Sequence, residues 1–110
     1  MARERVTVEI LYLEACPHHE ALLPRLRALI AELEVDARVV LKRVDSARAA
    51  EHERFLGSPT VRVNDQDIDP NAATRADYGL KCRLYQSNQA LHGDIPDELI
   101  RAALNRSSDT

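Results

Sequence analysis

The chain has 110 residues, enough for one domain and its core, which the pattern places at about 6–104 with a polar tail at 105–110. Hydrophobic residues make up 45% and charged residues 30%, a balance of folded domains that argues against a disordered chain. Asp plus Glu (18) outnumber Lys plus Arg (15) and aromatic residues are only 4%, so neither charge nor stacking surface favours nucleic acid as a partner. Apolar runs such as Ala21-Leu22-Leu23 fall far short of the ~20 residues of a membrane-spanning helix, and no apolar leader opens the chain. No membrane partner is expected, and a cytoplasmic location is. Two cysteines are too few for a disulfide framework, so each is core filler or chemistry.

Residues 6–13 are β-branched and apolar, nearly continuously so in the second half, as in a strand buried on both faces. After Cys16-Pro17, residues Leu22, Leu23, Leu26, Leu29, Ile30 and Leu33 take the spacing of one helix face, with Pro17 in the first turn and Pro24 inside as an anomaly. Residues 35–44 predict a second strand with Val39, Val40 and Leu41 inward, and Asp45-Ser46 can cap a short helix over 47–55 closed by Gly57. Val61-Arg62-Val63 is a short strand stopped by Asn64-Asp65, and residues 66–79 read as a long irregular loop. Leu80, Cys82 and Leu84 alternate with Lys81, Arg83 and Tyr85, which predicts a half-buried strand with the first three inward. Ile95, Leu99, Ile100, Ala103 and Leu104 form the apolar face of a last helix begun by Pro96-Asp97-Glu98. The order βαβαββα implies an α/β domain, a mixed sheet of about four strands with helices on both faces.

Cys16 falls where a strand ends and a helix begins, so unpaired N–H groups and the positive end of the helix dipole favour its thiolate. His19, one turn on, can tune that thiol, with His18 beside it. The competing reading is a semi-buried thiol followed by two solvated histidines. Cys82, on the face of Leu80 and Leu84, reads more readily as an inert core thiol than as a resolving cysteine. Cys16 and His19, with Cys82 or His18 as a third ligand, could hold a soft metal, but they form no closed four-ligand signature, and no metal or other cofactor is assigned. His52 and His92 read as a solvated helix residue and a loop residue. Asp65, Asp67 and Asp69 lack the glycine and final Glu of a calcium loop and read as solvated acids.

Cys16-Pro17-His18-His19 after a strand, Pro24 eight residues past the cysteine and Gly57-Ser58-Pro59-Thr60 before a later strand together resemble the thioredoxin-like superfamily. Gly79-Leu80-Lys81-Cys82-Arg83-Leu84-Tyr85 further resembles its small bacterial members, some of which are labelled alkylmercury lyase. The resemblance implies a thioredoxin-like fold over residues 6–104, a cis Pro59 against Cys16, and a substrate segment held by the Ser58 backbone and flanked by Pro17, His18, Pro59 and Thr60. The departures matter as much: His19 replaces the second cysteine of the Cys-x-x-Cys pair, Ala15 the usual aromatic residue and Ile10 the buried acid. A dithiol cycle at that site is thereby excluded. The expectation is monothiol exchange, Cys16 attacking a protein or low-molecular-weight disulfide and a second thiol, small or Cys82, releasing it. Two alternatives are a non-catalytic binding module and a soft-metal or organomercurial handler using Cys16 and His19.

Overall fold

A computed structural model describes residues 5–14, 16, 18–87, 90–92 and 94–108. Strand β1 (Val6–Tyr12) leads to helix α1 (His18–Glu32), then strand β2 (Ala37–Arg43) and helix α2 (Ala47–His52). Strands β3 (Thr60–Val63) and β4 (Gln66–Asp67), a 3-10 turn (Pro70–Thr74), strands β5 (Tyr85–Ser87) and β6 (Ala90–His92) and helix α3 (Asp97–Ser108) follow. Four strands form a mixed sheet ordered β2-β1-β3-β4, while β5 and β6 make a separate antiparallel pair.

The apolar run of β1 makes it a central strand: β2 lies parallel to it, Val6 opposite Ala37, and β3 antiparallel, Val8 opposite Val63 and Leu11 opposite Thr60. Alternation sends Val6, Val8 and Ile10, with Val61 and Val63, into a core shared with Leu22, Leu26 and Leu29 of α1 and Ile100, Ala103 and Leu104 of α3. Leu11 points the other way, to Val44, Ala50 and Phe55, which α2 and its flanks supply. The sheet is thus flanked by helices on both faces. Arg25 ties α1 to α3 by donating to the Ile95 carbonyl and the Asp97 carboxylate, and Arg101 reaches back to Glu32. Pro24 lies within α1 at an exposed position.

Several boundaries and faces differ from the sequence pattern. Because β2 is an edge strand, its outer residues outrun the covering layers: Leu41 is exposed and Val40 only half-buried, although both were expected inside. Helix α2 stops at His52, short of residue 55. The chain turns through a positive φ at Arg54, the Arg62 guanidinium donates to the Glu53 and Arg54 carbonyls, and Phe55 is left to fill the core. Residues 66–79 are not wholly irregular: Asn64 and Asp65, both at positive φ, reverse the chain so that β4 pairs with β3. The Asp69 carboxylate then accepts from the Asn71 N–H and caps the 3-10 turn. The last helix runs to Ser108, into the segment expected as a polar tail, and His92 belongs to β6 and not to a loop.

The largest departure is at residues 80–85. Leu80 (45%) and Leu84 (53%) are exposed, Arg83 and Tyr85 are buried, and the strand begins only at Tyr85. Alternation holds only from Cys82 to Tyr85, and there the inward residues are Arg83 and Tyr85; Lys81 is exposed. The Arg83 guanidinium can be buried because carboxylates meet it there, a partnership between distant segments that no local pattern announces.

Candidate active site

The site lies where the loop after β1 meets the segment before β3. Cys16 follows the turn out of β1, its backbone N–H donating to the Leu13 carbonyl at 3.1 Å, and helix α1 starts two residues on. Its side chain is 2% exposed, and Sγ donates to the Ser58 carbonyl at 3.6 Å. Ser58 is fully buried, its peptide bond to Pro59 is cis, and its hydroxyl accepts the Leu13 N–H at 3.0 Å. One serine thus binds both ends of the turn that carries Cys16.

Residues 81–83 run alongside Ser58. The Ser58 N–H donates to the Lys81 carbonyl at 2.8 Å and the Arg83 N–H to the Ser58 carbonyl at 2.9 Å, a parallel bridge pairing Ser58 with Cys82. Such pairing puts Cys82 beside Cys16. The Cys82 S–H donates to Cys16 Sγ over 3.0 Å, with no disulfide between them. Donation to Cys16, together with partial desolvation, pushes the Cys82 thiol up from its ordinary range. Cys82 is exposed and Cys16 buried, so the expected buried core thiol at position 82 is corrected: it is the outer member of a thiol pair.

What fastens residues 81–83 is Arg83. Its guanidinium, wholly buried, makes two hydrogen bonds to Asp67 (2.7 and 3.0 Å), lies 3.6 Å from Asp69, reaches the Thr60 hydroxyl at 3.2 Å and stacks over Tyr85 at 4.7 Å. Asp67 and Asp69, expected as solvated acids, are therefore its counterions. The Tyr85 hydroxyl donates to the Pro59 carbonyl, and burial pushes its phenol well up. Gly57 closes the approach: at φ +129° it has no Cβ where one would stand 2.8 Å from Arg83 Cβ.

The expected site residues are thus disposed as follows. Cys16, Ser58, Pro59 and Cys82 come together, and Thr60 supports Arg83 while donating to the Gly57 carbonyl at 2.6 Å. The Ser58 backbone, expected to hold a substrate segment, is occupied by the chain's own Lys81 and Arg83. Pro17 and the side chains of His18 and His19 lie outside the described residues. Arg83, Asp67, Asp69 and Tyr85 escaped sequence reasoning; the one available signal was an arginine alternating in phase with a tyrosine. Among the described residues no group of three or more His, Cys, Asp or Glu is arranged to hold a metal. A cavity of about 730 Å³, walled by His52, Arg54, Arg62, Asp67, Arg75 and Arg106 among others, includes neither cysteine. No described helix is long and apolar enough to cross a membrane. No family model matches the chain, and neither a curated protein nor a solved structure matches it significantly.

Proposed function

We propose that this chain is a thioredoxin-like thiol–disulfide oxidoreductase of the cytoplasm that works through the paired thiols of Cys16 and Cys82. The observation that carries the reading is the 3.0 Å separation of the two sulfurs, held by paired backbone on one side and by the turn after β1 on the other. A sulfur so placed can attack the mixed disulfide of its neighbour without a large movement, the geometry that resolution by exchange requires. The Cys-x-x-Cys spacing is therefore not needed for an internal cycle, because Cys82 stands in for the cysteine that His19 replaces. The Cys16, Ser58 and cis-Pro59 arrangement supports the thioredoxin-like assignment, and the β2-β1-β3-β4 sheet with helices on both faces is compatible with it. Partners are protein or low-molecular-weight thiols and disulfides.

The test is mild oxidation of the reduced chain followed by thiol titration and intact mass. The expected product is a monomer that has lost both thiols without added mass, its disulfide mapped to Cys16 and Cys82. Two persistent thiols, or only chain-to-chain disulfides, would sink the proposal. The same adjacent pair favours one other reading, capture of a thiophilic ion between Cys16 and Cys82. Stoichiometric Zn or Hg retention that Cys16→Ser abolishes, without redox cycling of the wild type, would favour it.

A further inference from the structure

We propose that external thiols and disulfides exchange at the sulfur of Cys82, and that Cys16 is the inner thiol that closes and reopens the internal disulfide. The proposal rests on the exchange reading above and reverses the order expected for a cysteine at a helix start. Three observations carry it. Cys82 is exposed whereas Cys16 is 2% exposed, so a sulfur arriving from solvent meets Cys82 first. The polar backbone of Ser58, the edge along which an extended partner would align against Cys16, is already paired with Lys81 and Arg83. The segment holding those pairs is anchored from beneath by the buried Arg83, Asp67 and Asp69 cluster, so the cover over Cys16 is built into the fold.

Starting from the internal disulfide, an external thiolate attacks Cys82 Sγ; the Cys16–Cys82 bond breaks with its electron pair on Cys16, which takes a proton and donates to the Ser58 carbonyl as in the structure. A second external thiolate attacks the outer sulfur of the mixed disulfide, forming the external disulfide. Cys82 leaves as a thiolate and regains its proton. Two external thiols are oxidised and the protein disulfide is reduced to two thiols. In reverse, a low-molecular-weight disulfide is the oxidant: the Cys82 thiolate attacks it, and Cys16 displaces the outer thiol to close the internal bond.

The single-cysteine variants Cys16→Ser and Cys82→Ser, treated with glutathione disulfide under native conditions and followed by intact mass, test the assignment. Cys16→Ser, which keeps Cys82, is expected to gain one glutathione at a rate about tenfold or more above Cys82→Ser. Equal rates, or a faster Cys82→Ser, overturn it. Should either variant fail to fold, the reduced wild type labelled with a limiting amount of a bulky maleimide gives the same answer: label on Cys82 first supports the assignment, and label on Cys16 first overturns it. A wild type that takes glutathione on Cys82 without then closing its internal disulfide overturns the exchange reading and not the choice of outer sulfur.

Discussion

Cys82 donates its S–H to Cys16, 66 residues away in the chain, because the Ser58 backbone pairs with the residues on either side of Cys82. Neither cysteine would reach the other through its own segment alone. It is produced by a serine between them, which binds the turn before Cys16 through its hydroxyl and the segment of Cys82 through its peptide groups.

Replacing that hydroxyl tests the relationship from the inside. Ser58→Ala leaves the Leu13 N–H without its acceptor in a half-buried place, a loss of about 1–3 kcal/mol. Urea unfolding should show the loss, and the internal disulfide should close more slowly because the Cys16 turn is no longer held. An unchanged closing rate beside reduced stability would confine Ser58 to a packing role.

Arg83 is the second anchor. Arg83→Met keeps much of the side-chain volume but leaves Asp67 and Asp69 facing each other without their buried cation, and should cost about 3 kcal/mol. Denaturant midpoints measure the cost. The effective concentration of Cys82 at Cys16, read from the glutathione equilibrium of the disulfide, should fall with it; a variant of full stability and unchanged equilibrium would contradict the anchoring role.

Gly57→Ala attacks the same segment from above. The new Cβ would meet Arg83 Cβ at 2.8 Å, with backbone on both sides of the contact, and φ +129° is hostile to any side chain. A loss of about 1–3 kcal/mol is expected, with residues 81–83 giving way. Native alkylation of Cys16 should then become faster relative to Cys82, and an unaltered ratio of the two rates would count against the cover.

The thiol pair also has a pH signature. Hydrogen bonding to Cys16 and desolvation raise the Cys82 pKa in the folded chain above that of the unfolded thiol, so the folded state binds this proton more tightly. That contribution to stability is fully present below the unfolded pKa and is lost as pH rises through the folded one. Unfolding free energy measured across the alkaline range should therefore fall more steeply for the reduced wild type than for Cys82→Ser. Parallel curves would show that the pair does not hold the proton. The alkylation profile of Cys82 should likewise move to lower pH in Cys16→Ser.

Much of the fold is legible in the sequence. The 3.6-residue spacing of Leu22, Leu26 and Leu29, the β-branched run of β1 and the Pro96-Asp97-Glu98 start of α3 each place an element, because local periodicity reports a buried stripe whatever lies opposite. Cys16 at the junction of strand and helix was visible for the same reason. The ends of elements were less so: just past the end of α2 the Glu53 and Arg54 carbonyls are taken up by Arg62 of β3, a residue outside the helix's own segment, and β4 is too short to show a period.

By itself the sequence determined the succession from β1 to β3, the last helix and the position of Cys16. Tertiary structure decided what the cysteine faces. The alternation Leu80, Cys82, Leu84 against Lys81, Arg83, Tyr85 defines two faces, and hydrophobicity chooses the leucine face as inward. Arg83 overrides that choice, since two carboxylates and a hydroxyl from other segments, with the Tyr85 ring two residues on, compensate its desolvation. With Arg83 turned in, Cys82 turns out, and the pairing of its neighbours with Ser58 brings its sulfur to Cys16.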